Sequence, residues 1–139
     1  MQIEIRRLGA TDAAVLDRVA DDVFDEPIRP QRLAAYLAQA GHLMIVAVTD
    51  GVVVGQVAAV IHRHPDKPTE LYIDEVGVTP SLQRRGIARR MLDAMFDWGR
   101  ELGCEEAWVG TEMENVPARR LYESFGEAGE PFVMYLYEL

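Results

Sequence analysis

Two short stretches of this chain carry residue types that could do chemistry. The first runs Leu71-Tyr72-Ile73-Asp74-Glu75-Val76-Gly77-Val78-Thr79-Pro80-Ser81-Leu82-Gln83-Arg84-Arg85-Gly86-Ile87-Ala88. Its apolar half reads as a strand, Pro80 and Ser81 as a turn, and Gly86 as the start of a helix. A helix start leaves backbone N–H groups unpaired and carries the positive end of the helix dipole. Gly86 and Ala88 put little side chain in the way, and Arg84, Arg85, Arg89 and Arg90 add positive charge there. The chemistry this predicts is binding of a phosphate or diphosphate. It is not a dinucleotide fingerprint, because Gly-x-Gly-x-x-Gly is absent. Nor is it a Walker loop, because Gly-Lys-Ser/Thr is absent.

The second stretch is Asn115-Val116-Pro117-Ala118-Arg119-Arg120-Leu121-Tyr122-Glu123-Ser124-Phe125-Gly126. Ala118, Leu121, Tyr122 and Phe125 share one helical face. Tyr122 reads as a core aromatic with its hydroxyl at the edge. Weaker candidates carry less. His62, His64 and Asp66 sit at a Pro-rich strand end and read as loop residues, so no metal is expected. Cys104 has no identifiable His partner and reads as a small buried hydrophobe.

The elements that must position these residues follow from the hydrophobic pattern. Residues 2–8 alternate as a strand. Thr11 can cap a helix carrying Ala14, Val15, Val19 and Val23, and Pro27 and Pro30 break it. A second helix is expected over Gln31 to Ala40. Strands are expected over His42 to Thr49 and Val52 to Ile61, joined by an Asp50-Gly51 hairpin turn, and over Leu71 to Val78. A helix over Gly86 to Leu102, a strand over Ala107 to Thr111, a helix from Pro117 to Phe125 and a closing strand over Phe132 to Leu139 complete the chain. The expected fold class is α/β: a mixed, mostly antiparallel sheet of six to seven strands with helices on both faces, in the order βααβββαβαβ. The chain has 139 residues, so one domain over 1–139 is expected.

Composition narrows the function. There are 23 acidic residues against 14 basic ones, a formal net charge of −9. That argues against nucleic-acid binding, where cationic phosphate contacts dominate. No apolar run approaches a membrane span. With one cysteine, no internal disulfide can form, and a cytoplasmic location is expected. Asp21, Asp22, Asp25 and Glu26 form one acidic segment, and Glu105, Glu106, Glu112 and Glu114 another.

Gln83-Arg84-Arg85-Gly86-Ile87-Ala88, together with Asn115, Ala118, Leu121, Tyr122 and Gly126, resembles the GCN5-related N-acetyltransferase superfamily. A closer similarity is to small aminoglycoside N-acetyltransferases acting on the 3-amino group, over Glu70 to Gly126 and at Val133-Met134-Tyr135. Glu127 departs from the aromatic residue the superfamily often has after Gly126. The resemblance implies an acetyl-CoA-dependent enzyme that transfers acetyl directly to a primary amine in a ternary complex. It implies cosubstrate binding by Val76, Gly77, Val78, Gln83, Arg84, Arg85, Gly86, Ile87, Ala88, Arg89, Asn115 and Tyr122. A backbone N–H near Val78 would stabilise the thioester oxygen, and Tyr122 would be the general acid. Glu75 is the candidate base, on the strand face opposite Asp74, where burial would raise its pKa. Asp25, Glu26, Glu112 and Glu114 would draw in a cationic acceptor such as an aminoglycoside. A polyamine, metabolite or protein amine, or a CoA-binding module without turnover, stay open, as does a homodimer through the C-terminal strand.

Overall fold

The computed structural model describes residues 1–139 and divides into two compact units, Met1–Val109 and Gly110–Leu139. In the first, five strands form one sheet in spatial order β1-β2-β3-β4-β5: Glu4–Arg7, His42–Thr49, Val52–His62, Glu70–Val78 and Glu106–Val109. Neighbours are antiparallel except β4 and β5, which are parallel. That exception follows from the helix between them, because a parallel pair needs a crossover. Helix α1 (Pro30–Ala38) and helix α2 (Ile87–Glu101) complete the unit.

β2 and β3 read as nearly continuous apolar runs because both their faces are covered. Met44, Val46, Val53 and Ala58 join Leu16, Val23 and Leu37 in one cluster beneath α1. α2 packs on β2, β3 and β4 and buries Ile87, Met91, Leu92, Met95 and Gly99. Burial of each large apolar side chain contributes roughly 1.5–3 kcal/mol. Tyr36 ties α1 to the sheet: its hydroxyl donates to the Leu43 carbonyl (2.7 Å), with the Ala59 carbonyl at 3.0 Å. Asp50 and Gly51 both have positive φ, as the hairpin turn between β2 and β3 requires.

Three expectations are corrected. The helix expected over residues 11–23 is a short 3-10 turn, Ala13–Asp17, followed by irregular chain. The reason lies in the sheet. Ala20 N–H donates to Val53 O, and Val53 N–H to Arg18 O, so a helix cannot use those groups. Of the spaced positions, Val23 is buried and Val15 and Val19 pack half-buried against the same cluster, while Ala14 is exposed, so the spacing marks partial burial and not a helix. The strand expected over Phe132 to Leu139 is absent, and the sheet has five strands in place of six or seven. Those residues make no ladder, and the large apolar side chains among them are 63% to 121% exposed. Without that strand and that helix, the observed order differs from βααβββαβαβ.

In the second unit, helix α3 spans Val116–Glu123. Pro117 sits in its first turn, where its missing N–H costs nothing. The Phe132 ring lies over Gly110, where an added Cβ would stand 3.1 Å from it.

No helix is long and apolar enough to cross a membrane.

Candidate functional site

β4 carries one extra residue relative to β3. Ala58 pairs with Glu75 and Ala59 with Ile73, so Asp74 is bulged out of the ladder. A bulge breaks the alternation of faces. Glu75 therefore shares a face with its partner Ala58, on the α1 side, whereas Ile73 shares the α2 side with Ala59. The simple expectation that Glu75 points opposite Asp74 fails here, and the bulge is what turns Glu75 towards the acidic segment.

Glu75 is half-buried. Burial pushes its carboxyl above the ordinary range, and the charges of Asp25 and Asp74 push it further. Hydrogen bonds from the Asp25 backbone N–H and the Gln56 side chain act the other way. Gln56, which the sequence reading missed, is fully buried (0% exposed) on the same strand face. Its Nε2 also donates to the Val23 carbonyl (3.3 Å), while its Oε1 has no protein partner. A glutamine inside an apolar strand was the signal available for it. Gly77 completes the arrangement. The Val23 carbonyl lies so close that a Cβ on Gly77 would be 2.1 Å from its oxygen. Only glycine lets the acidic segment cross β4 at this point. Asp25 and Glu26 are exposed just beyond the crossing.

β4 pairs with β5 only from Glu70 to Ile73. Asp74, Glu75, Val76, Gly77 and Val78 have no ladder partner on that side. The chain then turns through Pro80–Leu82 into the basic loop. The Gln83 side chain donates to the Val78 carbonyl (3.1 Å), tying the loop to the strand end. Arg84 (φ 63°) and Gly86 (φ 77°) are left-handed, and no side chain caps α2. Arg84, Arg85 and Arg89 are exposed around this start, while Ile87 is buried beneath it. Arg90 is turned away, donating to the Ile3 carbonyl (3.1 Å). An uncapped start of a 15-residue helix, ringed by guanidinium groups, fits a diphosphate.

The remaining candidates lie in the second unit. Asn115 caps α3, its Oδ1 accepting from Ala118 N–H (3.2 Å), so that oxygen has a structural use. Tyr122 is half-buried on α3, and burial pushes its hydroxyl above the ordinary tyrosine value. Glu112 and Glu114 are exposed in the turn before α3. Glu75, Asp25 and Gln56 are thus brought together within the first unit, while Asn115 caps α3 and Tyr122 lies on it in the second.

Comparison with known proteins bears on what these parts do. The model of the "Acetyltransferase (GNAT) family" matches residues 13–126. The aminoglycoside N(6')-acetyltransferase type 1 of Salmonella typhimurium is 31% identical over 106 residues, covering 71% of this chain and 72% of that protein. Among solved structures, an aminoglycoside acetyltransferase from an uncultured soil metagenomic sample, in complex with sisomicin, superposes with a TM-score of 0.86. It is 23% identical and the match covers 99% of this chain and 96% of that one. The aminoglycoside N-acetyltransferase AAC(6')-Iy, in complex with a bisubstrate analogue of CoA and acetylneamine, gives 0.80 at 23% identity, with both chains fully covered. The family match spans both the basic loop and α3, and the chain belongs to the acetyltransferase (GNAT) family as an acetyl-CoA-dependent N-acetyltransferase.

Proposed function

We propose that the protein acetylates a cationic small-molecule amine, with an aminoglycoside as the acceptor, by direct transfer in a ternary complex. The observation that carries this is the convergence of Glu75, Asp25 and Asp74 on one another in the first unit. Carboxylates gathered around Glu75, whose own proton affinity they raise, favour a cation among them. The acidic chain as a whole supports the same reading.

Acetyl-CoA supplies an acetyl group activated as a thioester. The α2 start, with Gln83, Arg84, Arg85, Gly86, Ile87, Ala88 and Arg89, holds the diphosphate. The unpaired edge of Val76, Gly77 and Val78 offers backbone groups to an amide-bearing arm, and one N–H there steadies the thioester oxygen as charge develops. Asn115 contributes from the α3 cap. Glu75, directly or through a water, takes the proton of the attacking amine. Tyr122 gives a proton to the departing thiolate. Its raised pKa keeps it protonated at neutral pH, as an acid must be. Asp25, Glu26, Glu112 and Glu114 orient the acceptor. Replacing Tyr122 with Phe is expected to cut kcat by about ten-fold or more, the lower end of acid–base contributions. Acetyl-CoA affinity, measured by calorimetry, should change little; an unaltered kcat rejects the acid role.

Charge reversal tests the acceptor side. Asp25→Lys and Glu112→Lys should each raise the aminoglycoside KM several-fold, and the difference should shrink as salt screens it. A flat response at all salt concentrations refutes acceptor steering. The activity itself is tested by thiol release from acetyl-CoA with aminoglycosides, spermidine, amino acids and short peptides. Release with an aminoglycoside supports the reading, and release only with another class replaces the acceptor. CoA binding without release from any amine points to a binding module. The NMR spectrum of the product separates the 3-amino group of the sequence resemblance from the 6'-amino group in the relatives' names. A homodimer is part of the proposal, supported by the exposed apolar residues 132–139. Sedimentation as a monomer at assay concentration removes it. A cytoplasmic location is proposed on the single cysteine.

A further inference from the structure

At the opposite end of β4 from the basic loop, His62, His64 and Glu70 bring their ligand atoms within 4.8 Å of one another. The sheet register makes the cluster. His62 is the last residue of β3 and pairs directly with Glu70, the first of β4. His64, two residues on, folds back so that its Nε2 is hydrogen-bonded to Glu70 Oε1. His62 Nδ1 stands 3.9 Å from the same oxygen, and the two imidazole rings lie 4.1 Å apart. His64 and Glu70 are largely sheltered, with side chains 17% and 22% exposed, and His62 forms the open side at 60%.

We propose that His62, His64 and Glu70 form a zinc site, with Nδ1 of His62, Nε2 of His64 and one Glu70 oxygen as ligands. Two imidazoles and a carboxylate are donors that zinc accepts, and three protein ligands leave a fourth position for water. Tetrahedral bonds of about 2.0–2.1 Å place ligand atoms roughly 3.3 Å apart, so side-chain adjustments of about an ångström suffice. The ion would replace the hydrogen bond between His64 and Glu70 and would pin the β3–β4 loop. The site is remote from the proposed chemistry. From Glu70 to Glu75, the proposed base, β4 spans roughly 16 Å at about 3.3 Å per residue. The inference stands whether or not the acceptor is an aminoglycoside.

The test is calorimetric titration of zinc chloride into tag-free, chelator-stripped protein. One zinc per chain is expected. The ring signals of His62 and His64 should shift on binding, and the melting temperature should rise by about 9 °C at a hundred-fold excess over Kd. Glu70→Gln keeps a hydrogen-bond partner for His64 but removes the anionic ligand. It should weaken zinc at least about ten-fold, as should His62→Gln at the exposed position, where folding is not at stake. Cys104→Ala should leave the affinity unchanged. Absence of saturable binding at millimolar zinc overturns the site. So does binding that survives both ligand substitutions or disappears with Cys104.

Discussion

Glu75→Gln is expected to lower kcat by about 100-fold and, in the same protein at neutral pH, to raise the melting temperature. The two effects have one cause. Burial first, and then the charge of Asp25, raise the Glu75 pKa in the folded state. An acid whose folded pKa lies above its unfolded one binds its proton more tightly in the fold. Its contribution to stability is therefore present at low pH and is lost as pH rises through the folded pKa. Above the folded pKa the wild-type fold holds an ionised carboxylate against that preference, and Gln removes the charge while keeping the shape. Melting curves should show the variant ahead at neutral pH and level with the wild type in acid. Wild-type kcat/KM should fall as pH drops through the same raised pKa, because a base must be unprotonated. A variant that keeps its rate moves the base role elsewhere, with Glu112 and Glu114 next in line. A variant that is less stable at neutral pH shows that the hydrogen bonds from Gln56 and Asp25 outweigh the desolvation.

The second large effect belongs to a residue with no side chain. Gly77→Ala would put a methyl 2.1 Å from the Val23 carbonyl oxygen and 3.1 Å from its carbon. Both are backbone atoms, so no rotamer change relieves the clash, and Val23 is itself buried at 2% exposure. The acidic segment has to lift. Overpacking of this kind costs about 3 kcal/mol, a fall of roughly 10 °C in a domain this size. The lift would also draw the Asp25 backbone away from Glu75 and the Val23 carbonyl from Gln56. The acceptor KM should therefore rise more than that for acetyl-CoA. Gly99→Ala makes the contrast: its nearest neighbour, at 2.8 Å, is the Leu71 Cδ2 methyl, the movable end of a side chain. Gly77→Ala melting no lower than Gly99→Ala would show that the crossing yields easily and does not hold the acidic segment in place.

Much of this was legible in the residues, for a physical reason. β2 and β3 are apolar on both faces, the hairpin between them turns at Asp50-Gly51, and α2 buries Met91, Leu92 and Met95 at helical spacing. Those are local patterns with one favourable solution. The basic loop was legible because its arginines stand at the only strand-to-helix turn of that composition. What was not legible depends on pairing between distant residues. The spacing of Val15, Val19 and Val23 reports burial, but the backbone groups around Val19 and Ala20 are engaged by Val53 in the sheet. The bulge at Asp74 exists only relative to β3, and with it the face that Glu75 takes. Gln56 stands out in sequence only as a polar residue in an apolar strand, and it acquires a role only beneath Val23. Residues 132–139 have strand-forming side chains, but a strand requires a ladder partner.

The ladder that stops at Ile73 gives β4 two kinds of amide. Those facing β3 are protected along the strand. Those of Asp74–Val78 that face the other way have no neighbouring strand to shield them. Hydrogen–deuterium exchange should therefore divide this half of β4 residue by residue, slow positions alternating with fast ones. Its central position in the sheet would otherwise suggest uniform protection. A ligand that lays amide groups along that edge would erase the alternation, and the exchange pattern would record its occupancy without any turnover being measured.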